Sequence, residues 1–346
     1  MKHFITGGSG FFGSYLLRKL LAEGEEIIVY DKENLDKEFK NEKNIIFING
    51  DILNLENLIK AMEGVDFVHH NAAVLPISRS GKTFWKINVE GTQNVLEAAL
   101  KNNVKKILNV STSAVYGIPN ELPLTEKVKL SPFGDYGRAK YDAEQICIKF
   151  REKSGLDLSI VRPRTIVGAG RLGIFGIFFD WIRSGKKVYI IGKGNNLYQF
   201  ISARDLAEAC YLMTKINCKN EDFNIGAEEY GPLKKDLGAL AEYAKTGAKI
   251  QPTNAFLVRN ALRIVDFLKI SPLVDYHYNI YDKSVYFDIS KAKKILGWQP
   301  KDSNIKMFIE AYDWYLKNHK DLHKSVGTTH KKIVKGGILN LLKKIS

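Results

Sequence analysis

His3-Phe4-Ile5-Thr6-Gly7-Gly8-Ser9-Gly10-Phe11-Phe12-Gly13-Ser14-Tyr15-Leu16-Leu17 stands near the start of the chain, and its reading decides the fold. His3 to Thr6 is a short run of the kind a buried strand needs. The glycines follow at once, and Leu16, Leu17, Leu20 and Leu21 then recur on one face of a helix predicted over Ser14 to Glu23. Ile27-Ile28-Val29-Tyr30 supplies the next strand, so the stretch reads as a βαβ unit. Gly8, Gly10 and Gly13 satisfy G-x-G-x-x-G, and Gly7, Gly10 and Gly13 satisfy the looser G-x-x-G-x-x-G. Between a strand and a helix, such glycines let the backbone approach a pyrophosphate held at the helix N-terminus. Asp31 ends the second strand, 18 residues beyond Gly13, where a carboxylate accepts from the adenosine ribose hydroxyls and repels a 2′-phosphate. NAD is therefore expected over NADP, with the neighbouring Lys32 working against the discrimination. A tight turn without a ligand is the alternative these residues leave open.

Working outward, the rhythm repeats. Strands are predicted over Ile45 to Ile48, Phe67 to His69, Lys106 to Val110 and Leu158 to Val161. Helices are predicted over Leu55 to Met62, Val89 to Lys101 and Lys140 to Lys153. Strands separated by helices imply an α/β chain built on a Rossmann-type, doubly wound parallel sheet. After Arg162-Pro163 the alternation loosens into glycine-rich segments at Gly168 to Gly176 and Gly192 to Gly194. We expect a cofactor domain over 1–165, a smaller C-terminal α/β substrate lobe mostly over 166–321 with segments crossing back, and a basic tail over 322–346.

The 346 residues carry 52 Lys and Arg against 38 Asp and Glu, a net charge of +14 that favours anionic partners. No nucleic-acid motif accompanies the charge, so nucleic acid is not an expected partner. Cys147, Cys210 and Cys218 form no C-x-x-C pair, which indicates neither a disulfide framework nor a cysteine zinc site, and no metal is expected. A reducing cytoplasm fits this cysteine use. Glycines interrupt the uncharged N-terminal stretch, which therefore does not read as a signal peptide.

Tyr136 and Lys140 lie four apart, on one face if helical, where an ammonium would favour the phenolate and bring the Tyr hydroxyl into range for proton transfer. Ser111-Thr112-Ser113 follows a predicted strand, at the carboxyl edge where doubly wound sheets hold ligands. Taken singly, each feature has a structural reading: Y-x-x-x-K arises by chance and hydroxyl runs cap helices.

Together with the glycine loop, the motifs give a resemblance. Thr6 to Gly13, Gly50-Asp51-Ile52, His70 to Ala73, Asn88 to Thr92, Val110 to Gly117, Tyr136 to Lys140, Arg162-Pro163 and Lys291 to Pro300 resemble, in order, the extended short-chain dehydrogenase/reductase superfamily and its NAD-dependent epimerase/dehydratase branch. The resemblance implies Tyr136 as acid/base, Lys140 as its tuner and ribose ligand, and Thr112 as the hydroxyl partner, with Ser113 a second candidate. It implies a cofactor groove of Gly7, Gly10, Phe11, Phe12, Gly13, Asp31, Asp51, Ile52, Ala72, Ala73, Asn88, Ser111 and Pro163, with Asp51 and Ile52 flanking the adenine. It also suggests a homodimer through the helices near Val89 to Lys101 and Tyr141 to Lys153.

Related sugar dehydratases carry Asp-Glu where this chain has Ser113-Ala114, so a dehydratase is disfavoured. Thr165 and Tyr198 stand where nucleotide-sugar 4-epimerases usually have Asn and Arg; Arg164, Arg171 or Arg204 would then supply the charge for a diphosphate. The expected substrate is a small molecule, a nucleotide- or polyprenyl-linked sugar, epimerised through a transient ketone. The segment Gly192 to Asp205 resembles two branches, the 3β-hydroxysteroid and sterol-carboxylate dehydrogenases and the epimerases of polyprenyl-diphosphate-linked sugars, so a net dehydrogenase of a lipophilic alcohol stays open; a silent NAD-binding regulator is a further alternative. The apolar run Ile174 to Phe179 with Trp181 either lines such a site or packs in the core. Lys324, Lys331, Lys332, Lys335, Lys343 and Lys344 accumulate around Ile333, Val334, Ile338, Leu339, Leu341, Leu342 and Ile345. That tail reads either as an amphipathic segment for an anionic membrane or as a packing tail weakened as a helix by Gly336-Gly337.

Overall fold

The computed structural model describes residues 1–75, 81, 83–268, 273, 275–322, 331, 332, 337, 339 and 343. In chain order the elements up to Pro163 are β1 (Lys2–Thr6), α1 (Phe11–Ala22), β2 (Glu26–Asp31), β3 (Ile45–Asn49), α2 (Leu55–Ala61), β4 (Phe67–His70), α3 (Thr83–Trp85), α4 (Gly91–Lys101), β5 (Lys106–Val110), α5 (Gly134–Ser154) and β6 (Leu158–Pro163). There follow β7 (Thr165–Val167), α6 (Ile174–Arg183), β8 (Lys187–Ile190), β9 (Phe200–Ser202), α7 (Ala203–Lys215), β10 (Asp222–Ile225), α8 (Leu233–Ala244), β11 (Lys249–Pro252), α9 (Ala255–Phe267), α10 (Asp275–Ile280), α11 (Ser290–Leu296) and α12 (Asn304–Leu322).

Seven strands form one parallel sheet in the order β10-β6-β5-β4-β1-β2-β3. Helices cover both faces, which is why the central strands are apolar without alternation: Phe4, Ile5, Val68, Ile107, Leu108 and Ile160 are each fully buried. Chain order reverses between β1 and β4, and ligands of doubly wound sheets sit at that switch point beyond the strand C-termini. Short parallel pairs β7–β9 and β8–β11 extend the molecule over this edge.

β10 comes from beyond residue 165 yet pairs with β6, with Asp222 opposite Ile160 and Ile225 opposite Pro163. α7 returns in the same way to α1, where Lys19 Nζ lies 2.6 Å from Glu208. The run Ile174 to Phe179 is α6. Phe179 is fully buried, with ring centroids 5.7 Å from Tyr312 and 5.8 Å from Tyr315, so this run packs the core.

One buried polar chain fixes the switch point. The Thr6 hydroxyl lies 2.7 Å from His70 Nδ1, and His70 Nε2 lies 2.9 Å from the Thr92 hydroxyl. Burial, with Lys140 nearby, takes the His70 pKa down to about 3, so the ring is neutral and serves as one donor and one acceptor. The Asn88 side chain accepts from Val74 N–H at 2.8 Å and donates to Val74 C=O at 3.3 Å. Asn88 sits on a five-residue π-turn, Lys86–Glu90, that precedes α4 and that the helical periodicity of the sequence does not signal.

Candidate active site

The glycine turn is built by close approach. Gly7 has φ +72°, and a Cβ there would meet Ala72 N at 2.8 Å; a Cβ on Gly13 would stand 2.3 Å from Gly7 O. Gly10 N–H closes the turn on Gly7 C=O at 3.1 Å. The helix therefore begins at Phe11, a turn earlier than its leucine pattern predicts. No side chain caps α1 and no acid lies in its first turn, so its N-terminal amides face an exposed Gly10. That is the cradle a pyrophosphate fits.

Asp31 is oriented by two amides, Ser9 N–H and Glu33 N–H, each 3.0 Å from a carboxylate oxygen. Burial nevertheless pushes its pKa up, as expected of a carboxylate held for a further donor. Asp51 is drawn the other way. Burial opposes its charge, but Lys32 Nζ at 2.6 Å and Leu53 N–H at 3.0 Å outweigh that and lower its pKa. Lys32, the cation beside Asp31, is thus paired with Asp51. Ile52 is buried against Gly91, where an added Cβ would meet Ile52 Cδ1 at 2.4 Å. Ala72 and Ala73 form the facing loop, hung from the Thr6 hydroxyl through Ala72 N–H at 3.2 Å. Both polar atoms of the Asn88 side chain are engaged by Val74, so Asn88 holds this wall in position. Ser111 and Asn71 are partly or fully buried with side-chain polar atoms that lack partners, as a groove shaped for a polar cofactor leaves them. These residues fit NAD. Asp31→Ala is expected to weaken NAD about tenfold or more, the usual worth of hydrogen bonds to a charged group, and to narrow the preference over NADP. Titration with both cofactors checks this; an unchanged ratio removes Asp31 from the ribose site.

α5 starts at Gly134, so Tyr136 and Lys140 do share a helical face. Thr112 stands close enough to the Tyr136 hydroxyl to lower its pKa, and the Thr112 hydroxyl accepts from Ala114 N–H at 3.2 Å. Lys140 Nζ donates to Val110 C=O at 2.8 Å, and burial lowers its pKa to about 8. Burial also raises the Tyr136 pKa, against which Thr112 and the positive charge of Arg171 act. Arg171 is thus one cation that favours the phenolate.

Arg164 leaves the end of β6 and is almost fully buried. Its Nη1 donates to the Ser113 hydroxyl at 2.8 Å and its Nε to Gln199 C=O at 3.1 Å, while Nη2 has no partner. Pro163 directs it by pairing opposite Ile225. The Tyr198 ring lies 4.9 Å beneath the guanidinium, so Tyr198 is a platform for Arg164 rather than an exposed contact. Arg171 lies between the rings of Phe11 at 5.4 Å and Phe175 at 5.7 Å; burial lowers its pKa to about 10, and its Nε is unpartnered. Phe12, in contrast, packs in the core. Neither arginine faces a carboxylate among the described residues. Arg204 is removed from the candidates: it binds Asp302 at 3.0 Å and Glu310 at 2.6 Å. Thr165 begins β7, opposite Phe200.

The sequence reading missed three residues. Tyr276 and Tyr281 come from α10 and the turn after it; Ser113 lies close enough to act on the Tyr276 pKa, and the charges of Arg164 and Arg171 both reach Tyr281. Burial raises the pKa of both tyrosines, so they stay protonated donors. Lys331 donates to Ser9 C=O at 2.6 Å and binds Asp36 at 2.5 Å, which brings the tail to the glycine turn. Lys343 is likewise paired, with Asp180 at 2.5 Å. Two tail lysines thus face the protein's own acids. Lys324, Ile333, Val334, Lys335, Gly336, Ile338, Leu341, Leu342, Lys344 and Ile345 lie outside the described residues. Among the described residues, no group of three or more His, Cys, Asp or Glu is placed to hold a metal ion, and no helix is long and apolar enough to cross a membrane.

A glycine turn at the switch point, a cofactor groove and a Tyr/Thr/Lys set define a nucleotide-cofactor redox enzyme of the doubly wound class. The model of the NAD dependent epimerase/dehydratase family matches residues 3–226, and the chain belongs to that family. It is an NAD-dependent enzyme of the extended short-chain dehydrogenase/reductase type. The chain is similar to an uncharacterised protein of Sinorhizobium fredii, 39% identical over 338 residues that cover 98% of this chain and 84% of the relative. It is similar also to a putative UDP-glucose 4-epimerase of Methanocaldococcus jannaschii, 29% identical over 91% of this chain and 99% of the relative. Among solved structures, a UDP-glucose 4-epimerase of Thermotoga maritima with UDP-glucose matches with a TM-score of 0.75 and 26% identity, covering 92% of this chain and all of that one.

Proposed function

We propose that this enzyme epimerises a sugar carried on a diphosphate, by oxidising one ring hydroxyl to a ketone and reducing it from the other face. Bound NAD supplies the hydride acceptor and donor of this chemistry. Tyr136 takes the hydroxyl proton and later returns it, and the neighbouring Thr112 hydroxyl holds the reacting oxygen. Ser113 and Tyr276 line the ring. The observation that carries the reading is the pair Arg164 and Arg171, buried beside Tyr136 and Ser113 with N–H groups unpartnered and no carboxylate opposite. Buried cations need anions. A neutral sterol-like alcohol offers none, which favours the diphosphate sugar over the net dehydrogenase. The dehydratase reading lacks its extra acid, since Ala114 stands in the position concerned and is buried.

Arg171→Met is expected to lower kcat/KM roughly 10- to 100-fold, the usual worth of charge-assisted hydrogen bonds, chiefly through KM. Assay against UDP-linked sugars, with free UDP as inhibitor, checks it; an unchanged KM and UDP affinity would sink the anion grip. We place a homodimer contact on α4 and α5, where an exposed Leu100 lies along one groove with Ile146 and Phe150. Leu100→Glu with Phe150→Glu is expected to give a monomer in sedimentation velocity, and a dimer that persists moves the contact elsewhere.

A further inference from the structure

α9 carries apolar side chains on two faces: Val258, Leu262 and Val265 pack inward with Ile191 and Tyr278, and a second set faces out. Phe256, Leu257, Ile264, Phe267 and Leu268 at its outer side are 70%, 64%, 62%, 85% and 57% exposed, whereas Leu262 is its single buried side chain. Two of its polar side chains, Arg259 and Asp266, are tied to the body of the protein. Arg259 binds Asp282 at 2.7 Å, Asp266 accepts from the Tyr278 hydroxyl at 3.1 Å, and Asn254 caps the helix by accepting from Phe256 N–H and Leu257 N–H. These clamps make the helix a fixed part of the fold with one apolar side outward.

Charge singles out the occupant. The acids of α9 and of the turn beyond α10, Asp266 and Asp282, are turned inward, while Arg263 on the helix and Lys193 beside its N-terminus are exposed. An apolar stripe flanked by cations, on a chain of net charge +14, is complementary to an anionic lipid surface. The five side chains expose on the order of 600 Å², the upper end for a surface patch and short of the roughly 800 Å² per partner of a stable protein interface.

α9 also adjoins the active site. Tyr278 of α10 is bonded to Asp266, and Tyr276 of the same helix stacks at 5.8 Å on Phe133, the residue that precedes α5 and its Tyr136. We propose that α9 is an interfacial helix that seats the mouth of the active site on an anionic bilayer. The diphosphate sugar is then presented on a lipid carrier. This second step rests on the function proposed above, whereas the docking does not.

Flotation with vesicles of phosphatidylethanolamine and phosphatidylglycerol, without substrate, tests the docking on the full chain. The wild type is expected to float, Phe256→Ser with Phe267→Ser to bind at least tenfold more weakly with an unchanged melting temperature and NAD affinity, and the chain ending at Asp321 to float like the wild type. Wild type left at the bottom, equal binding by the double variant, binding lost with residues 322–346, or a dimer that the double variant splits would each overturn it. Docking without any sugar-epimerising activity would leave α9 as assigned and sink the function alone. For the carrier, the double variant is expected to turn over a polyprenyl-diphosphate sugar in vesicles at least tenfold more slowly than the wild type; equal rates overturn that step.

Discussion

Tyr136→Phe is expected to lower turnover roughly 10³-fold, within the range for loss of a positioned proton-transfer group, while leaving NAD bound. The reasons are local. Tyr136 is in the first turn of α5, its hydroxyl near Thr112, its ring edge-on to Phe84 at a centroid distance of 6.4 Å, and its phenolate favoured by Thr112 and Arg171. Removal of one oxygen leaves those packing contacts intact. Thr112→Val should lose less, since it alone leaves Tyr136 able to reach the substrate. Steady-state rates beside an NAD titration separate the two effects. A Phe variant with full activity would take proton transfer away from Tyr136.

The largest effect on stability is expected at Arg162. Its Nη2 lies 2.7 Å from Glu144, which is fully buried, and its Nη1 donates to the Tyr116 hydroxyl at 3.3 Å; that hydroxyl in turn lies 2.8 Å from Asn224 Oδ1. The pair joins α5, β6 and β10 under the catalytic edge. Burial disfavours the guanidinium charge, yet Glu144 outweighs it and raises the Arg162 pKa. Arg162→Leu strands the Glu144 carboxylate without a partner and is expected to cost about 3–5 kcal/mol, whereas Arg162→Leu with Glu144→Leu should recover most of that loss. Urea unfolding of the two variants measures the difference. A single variant within about 1 kcal/mol of the wild type, the scale of an exposed pair, would mean the pair is solvated.

Much of this was legible in the chain, for identifiable reasons. Parallel strands buried on both faces leave continuous apolar runs, so β1, β2 and β5 can be read directly, and a glycine turn between strand and helix has few other uses. The spacing of Tyr136 and Lys140 carried its own geometry. What spacing could not carry was partnership. Arg164, Arg171 and Arg204 look alike in sequence, and only tertiary contacts show that Arg204 is neutralised by Asp302 and Glu310 while the other two are not. The π-turn at Asn88, the return of β10 to the main sheet and the approach of Lys331 to Ser9 are likewise long-range facts without a local signature. Tyr276 and Tyr281 belong to the same group, since nothing near them in sequence points to Ser113.

Epimerisation is a closed redox cycle, and the cofactor itself reports on that most directly. Denaturing the purified, gel-filtered protein and measuring the nicotinamide released is expected to give close to one NAD per chain. Such retention is what an epimerase needs, since the cofactor that takes the hydride must stay bound to return it. An empty groove that fills and empties freely with NAD, and turns it over to NADH in proportion to product, would contradict epimerisation and identify a net dehydrogenase.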